Sequence, residues 1–184
     1  VYHSWLDRWD EQRARRGEEG KKTTDFVLDA ERAFPGAKNV ASIEEFCVLA
    51  DQAAADPAFF GEPSESDQGF ERKDGWLKFP SDISTDIEEN NVVWAKITES
   101  GSFDQAMVIF HHWNASARNR QIANFFSRRG ITVVEIAMPY HFERSRPGSL
   151  HADYMLSPNI GRTIQSVRQG VLDGRKLIRW LKSE

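Results

Sequence analysis

Two short apolar runs dominate the hydropathy pattern: Ala106-Met107-Val108-Ile109-Phe110 and Ile131-Thr132-Val133-Val134-Glu135-Ile136-Ala137. Their length and β-branched content predict strands, and their continuous apolar character predicts burial on both faces, as in a parallel sheet covered by helices. Between them, Ala117 to Arg129 has the length of a crossover helix. Its apolar stripe is Ile122, Phe125 and Phe126, its cap Asn114 or Ser116, and Gly130 suits a left-handed end. Such a strand-helix-strand unit is right-handed in nearly all folds. Upstream, Trp76–Phe79 and Val92–Thr98 predict two further strands, joined through the turn-forming stretch Pro80 to Asn91. Strands on short turns before any crossover predict an antiparallel edge on a sheet that then becomes mostly parallel. From about Asn159 to Lys182, Ile160, Ile164, Val167, Val171, Ile178 and Leu181 recur at helical spacing. Gly174 lies on that stripe, where glycine costs about 1 kcal/mol relative to alanine, so it is expected to permit close approach to the sheet.

The first sixty residues are helical in pattern. Tyr2, Trp5, Leu6 and Trp9 share one helix face, with Asp7, Arg8, Glu11 and Arg15 opposite. Asp25 is positioned to cap a second helix carrying Phe26, Ala30, Ala33 and Phe34, which Pro35-Gly36 ends. Ser42 and Glu45 have capping-box spacing before Phe46, Leu49, Ala50 and Ala53. The resulting organisation is a helical N-terminal arm over 1–60, a linker over 61–75, and an α/β unit over 76–184 with helices on both faces. The arm is expected to pack on the main domain, since Trp5 and Trp9 would otherwise leave an apolar patch exposed.

Composition narrows the function classes. The 184 residues carry a formal net charge of −4, which gives no reason to expect nucleic acid as a partner. No apolar run approaches the roughly 20 residues of a membrane span, and no signal peptide is visible in a chain that starts at Val1. A cytoplasmic location is the expectation. Cys47, the only cysteine, is expected to be a small buried residue on a helix. A homo-oligomer stays open.

Chemistry is expected where strands of such sheets end, because ligands meet the loops at their carboxyl ends. Phe110 leads there into His111-His112-Trp113-Asn114, and Ala137 into the long irregular loop Pro139 to Ser157. That loop offers Tyr140 and Arg144 as candidate substrate contacts, with a solvated Arg144–Glu143 pair as the alternative. A metal site built from His111, His112, His141 and His151 is disfavoured: adjacent histidines diverge, and no cysteine or carboxylate spacing completes a zinc set. No cofactor is implied. Arg162, Arg168, Arg175 and Arg179 read as the polar side of the last helix, with Asp173 as a local partner.

In combination, three features resemble the α/β-hydrolase superfamily over roughly Trp76 to Glu184. They are the His111-His112-Trp113 loop after its strand, the proline-led Pro139-Tyr140-His141-Phe142-Glu143-Arg144 loop, and the helix of Gly161 to Leu181. In that family a His-Gly-x loop supplies a backbone N–H of the oxyanion hole; here His112 replaces the glycine and Trp113 is the implied donor. A Gly-x-Ser-x-Gly elbow is absent, and in the family it follows one strand beyond this last helix. The resemblance therefore implies an α/β-hydrolase fold truncated before its nucleophile elbow. This chain would supply the oxyanion loop, and a C-terminal half would supply serine, acid and histidine. The implied activity is hydrolysis of a small-molecule carboxylic ester or related acyl bond. A non-catalytic binding or scaffolding protein and a peptidase of the same fold are the alternatives, since fold alone does not choose chemistry.

Overall fold

The computed structural model describes residues 2–19, 24–38, 40–61, 69–102, 104–149 and 152–184. Helices α1 (Tyr2–Glu19), α2 (Ala30–Ala33) and α3 (Ile43–Ala55) precede strands β1 (Glu71–Lys73), β2 (Trp76–Pro80) and β3 (Val92–Thr98). Then follow β4 (Ala106–Phe110), α4 (Arg120–Ser127), β5 (Thr132–Ile136) and α5 (Ile160–Ser183). One five-stranded sheet has the order β1-β2-β3-β5-β4. The three pairs β1–β2, β2–β3 and β3–β5 are antiparallel, and only β4–β5 is parallel. The fold is α/β, but the mostly parallel sheet expected from the sequence is corrected to a mixed, mostly antiparallel one. Part of the difference lies in Glu71–Lys73. Their composition reads as linker, yet they pair with β2 in register and add a strand. Gly75 at φ +72 and Asp74 at φ +52 close that hairpin.

Alternation sets the two faces. On β3, Val93, Ala95 and Ile97 point into the core while Trp94, Lys96 and Thr98 alternate with them on the other face. The core lies beneath α5, where Leu177 and Trp180 meet Leu77, Phe79, Val93, Ala95, Ile97, Val134 and Ile136. Burying a side chain such as Leu177 contributes roughly 1.5–3 kcal/mol. Phe70 extends this core by stacking on Phe79 and Trp180, with ring centroids 4.5 and 5.4 Å apart.

The two apolar runs part company. All five residues of β5 are buried, because β3 and β4 flank it and helices cover both faces. β4, equally apolar, is the sheet's edge; Ala106 and Phe110 are exposed and its middle only half-buried. Helix α4 starts later than its pattern suggests, capped by Asn119, whose Oδ1 accepts the Ile122 N–H at 3.1 Å. It turns Ala123 inward and leaves Ile122 and Phe125 exposed.

Helix α5 also turns another side to the sheet. Its buried residues include Gln169, Leu172, Asp173, Lys176, Leu177 and Trp180, while Val167, Val171 and Ile178 stay exposed. Inward polar groups find partners: Gln169 Nε2 donates to Ile83 O at 2.9 Å, and Lys176 Nζ to Asp82 Oδ1 at 2.9 Å. Gly174 does permit close approach, but to Phe110 of β4, whose ring a Cβ would meet at 2.7 Å.

The arm docks on the start of α5. Val27 bridges Asn159 in parallel, and Gly161 donates to Leu28 O at 2.8 Å. Ala30, Ala33, Phe34 and Phe46 form a second core against Ile160 and Ile164. Ser42 caps α3 as its spacing predicts, accepting the Glu45 N–H at 3.1 Å, while the Glu45 carboxylate reaches back to the Ala41 N–H at 3.1 Å. The second helix is shorter than expected: Asp29, not Asp25, precedes it, at φ +47. Asp29 bonds Arg32 and Asn159 instead of capping. Trp5 and Trp9 are 59% and 46% exposed, contrary to the packing expected of α1, and Cys47 is exposed too. Among the described residues, no helix is long and apolar enough to cross a membrane.

Candidate functional site

The loop leaving β4 and the turn leaving β5 lie side by side, because their strands are parallel neighbours. Two histidines fasten them together. His111 Nε2 accepts the Met138 N–H at 3.0 Å, and its Nδ1 lies 2.9 Å from His112 O. His141 Nε2 accepts the Asn114 N–H at 2.9 Å, and its Nδ1 lies 2.9 Å from Pro139 O. Each ring thus accepts at Nε2 and donates at Nδ1, the pattern of a neutral imidazole. Their centroids are 4.5 Å apart. Burial, aided by the neighbouring His141 and Arg118, holds His111 down to about 4. Burial likewise holds His141 below the usual histidine range, with Arg144 acting in the same direction.

Trp113 sits between these anchors and is 48% exposed. Its backbone N–H has no partner among the described residues, whereas that of Asn114 is taken by His141 and that of Ala115 by His112 O at 3.3 Å. His112 is exposed and its side chain makes no hydrogen bond among the described residues. Asn114, at φ +59, sits in the left-handed region, which asparagine tolerates better than most residues.

Tyr140 and Arg144 are both buried. Tyr140 is buried, with its ring 5.7 Å from that of Tyr154 and its N–H donated to Asn90 Oδ1 at 3.0 Å. Tyr140 lines a hollow of about 310 Å³ with Asn114, Ser116, His141 and Ser145, and burial pushes the pKa of its phenol up. Arg144 is 0% exposed. It reaches Asp173 of α5 at 2.9 Å and donates to Asn90 O at 2.8 and 3.1 Å and to Ala137 O at 3.0 Å. It is a buried clamp, which corrects the solvated pair with Glu143. Glu143 instead takes a two-pronged bond from Arg118 at 2.8 and 2.6 Å. Asp173 faces inward, where burial pushes its carboxyl up against the pull of Arg144 and the Ser81 hydroxyl.

The frame behind the loop runs through residues with no sequence signal. Gln169 Oε1 of α5 accepts from Asn90 Nδ2 at 2.8 Å, and Asn90 Oδ1 fixes Tyr140. Asn90-Asn91 reads as a turn, and nothing in its composition announces that Asn90 is fully buried.

Two larger hollows adjoin. On the α4 side, about 940 Å³ is lined by Trp76, Lys96, Arg118, Glu135, Phe142 and Glu143, among others. Arg118 lies over the rings of Trp76 and Phe142, at 4.8 and 4.6 Å from their centroids. On the α5 side, an apolar groove of about 360 Å³ runs along Phe110, Met138, Met155, Val167, Val171 and Ile178. No cluster of three metal-ligating side chains occurs among the described residues, and His151 lies outside them. Neither histidine hydrogen-bonds a serine or carboxylate side chain among the described residues, so neither belongs to an assembled triad there. Compared with protein-family models and with curated proteins, the chain matches none.

Proposed function

We propose that this chain is the N-terminal half of an α/β-hydrolase-like serine hydrolase, contributing the oxyanion loop at Trp113 to cleavage of a small carboxylic ester or related acyl bond. The observation that carries the reading is the free edge of β4, which ends at that loop and borders the apolar groove. Topology supports it. Helix α4 lies on the face of Glu135, where the Asn119 N–H meets that carboxylate at 2.9 Å. Helix α5 lies on the opposite face, over Val134 and Ile136. The right-handed crossover through α4 steps inward from β4 to β5. A right-handed crossover through α5, on the other face, must step outward past β4. A following parallel strand would then pair with the free edge, cover Val167, Val171 and Ile178, and end beside Trp113. That is where a nucleophile is wanted.

In the reaction, the serine would attack the acyl carbon as a histidine takes its proton, and charge would build on the carbonyl oxygen. The uncommitted Trp113 N–H would donate to that oxyanion. One such donor is worth about 3–4 kcal/mol of barrier. The competing reading, a binding protein of the same fold, is favoured by one observation: His111 and His141 both spend their ring nitrogens on backbone. The test is a pair of substitutions in the complete protein. Trp113→Ala keeps the N–H and should retain most of the turnover with a model ester. Trp113→Pro removes it and should lose about a hundredfold or more, with melting temperature as the check on folding. Equal turnover in both folded variants rules out the oxyanion assignment.

A further inference from the structure

We propose that His111 and His141 form a proton-gated clamp on this site, closed while both rings are neutral, opened at Met138 when His111 takes a proton and at Trp113–Asn114 when His141 does. The regulatory role rests on the reading of Trp113 as oxyanion donor; the clamp itself rests on geometry alone. Each Nε2 accepts a backbone N–H, from Met138 at 3.0 Å and from Asn114 at 2.9 Å. A proton on Nε2 would put two donors face to face, so the ring can charge only by releasing its partner. His111 holds the end of β4 to the turn after β5, and His141 holds that turn to the residue after Trp113.

The backbone around the clamp is strained. Tyr140 at φ +61 and Phe142 at φ +51 flank His141, and Asn114 at φ +59 is its partner. Positive φ is uncommon for bulky side chains, and a residue held there stores backbone strain. Tyr140 is held by Asn90 Oδ1 at 3.0 Å and by the Ser145 hydroxyl, which donates to Tyr140 O at 3.2 Å. Among the described residues, the Asn114 side chain accepts the Ala152 N–H at 3.4 Å, and its backbone is anchored by His141 alone, so strain there relaxes when that bond breaks. The charged and titratable groups around the rings add no attraction for a proton. From the β4 loop these are His112 and Arg118, and from the turn after β5, Arg144. The nearby Glu143 is engaged by Arg118.

The test uses the complete protein labelled with 15N at histidine. At pH 7 both rings should show the Nδ1–H tautomer with an accepting Nε2. As pH falls, protection of the Asn114 amide against hydrogen exchange should drop together with protonation of His141, while Val134 in β5 stays protected. His141→Phe keeps a ring but no acceptor. It should lower Asn114 protection at pH 7 about tenfold, the scale of one lost hydrogen bond, and abolish its pH dependence; His112→Phe should leave the protection at pH 7 in place. An Nε2–H tautomer at pH 7 in either ring overturns the clamp without any need for a variant. Asn114 protection that falls only with global unfolding overturns it as well. Fluorophosphonate labelling across the same pH range separates the two readings. A verified clamp with no labelling at any pH sinks the hydrolase reading alone. Labelling whose acid limb is identical in wild type and folded His141→Phe sinks the gate alone.

Discussion

Removing both partners of the Arg144–Asp173 pair should cost far less than the two single removals added together. The guanidinium and carboxylate meet at 2.9 Å with side-chain exposures of 0% and 1%, so neither can recover water when its partner goes. Breaking such a pair from one side typically costs about 3–5 kcal/mol, because a buried charge is left uncompensated. Arg144→Met strands the Asp173 carboxylate and also takes donors from Asn90 O and Ala137 O. Asp173→Leu strands the guanidinium and the Ser81 hydroxyl, which now donates to Asp173 at 2.7 Å. The double variant still loses those hydrogen bonds but buries no charge. Its cost should therefore fall short of the sum of the singles by about 3 kcal/mol. Equilibrium urea unfolding of the complete protein, followed by tryptophan fluorescence, would give the three differences. Contacting residues commonly couple by 0.5–3 kcal/mol, whereas independent sites add within about 0.5 kcal/mol. Additivity of Arg144→Met and Asp173→Leu within that margin would refute the buried clamp.

The strands and the long helix were legible because their signals are local: β-branched runs, alternation on β3, and apolar spacing along α5. What escaped depends on neighbours. β4 and β5 are equally apolar, and only topology makes one an edge and the other central. The stripe Val167, Val171 and Ile178 was sound as periodicity, but the sheet takes the adjacent face, where Gln169, Asp173 and Lys176 find partners more than eighty residues away in sequence. Glu71–Lys73 form a strand through the pairing β2 offers, with no apolar signal of their own. At the candidate site, the His111-His112-Trp113 loop was legible by resemblance. His141 was not, because its role is to meet a backbone N–H twenty-seven residues earlier. Arg144 looks like loop chemistry in sequence, and only three dimensions reveal it as buried.

Two other expectations follow from particular contacts. Gly161→Ala would set a Cβ 1.9 Å from Asp29 O, backbone against backbone. It should destabilise by about 1–3 kcal/mol and loosen residues 27–34 first, read as faster amide exchange there with β5 unchanged; an unaltered melting temperature would contradict this docking. The pH dependence has a definite sign. His111, held at about 4 when folded against an ordinary 6.5, binds more protons unfolded than folded between those values. Its contribution is full above about 6.5 and is lost as pH falls toward 4, worth up to about 2 kcal/mol after allowance for its partial exposure. Stability measured from pH 7 to pH 4 should fall, and should fall less in His111→Phe; a steeper fall in the variant would reverse the assignment.

The most direct measurement of the central claim is covalent labelling by a fluorophosphonate serine probe, with the modified residue located by mass spectrometry. It compares residues 1–184 alone with the complete protein. The account predicts no labelling of the isolated chain, and labelling of the complete protein at one serine outside residues 1–184, suppressed by Trp113→Pro. Labelling of a serine within residues 1–184, or none in the complete folded protein, would contradict it.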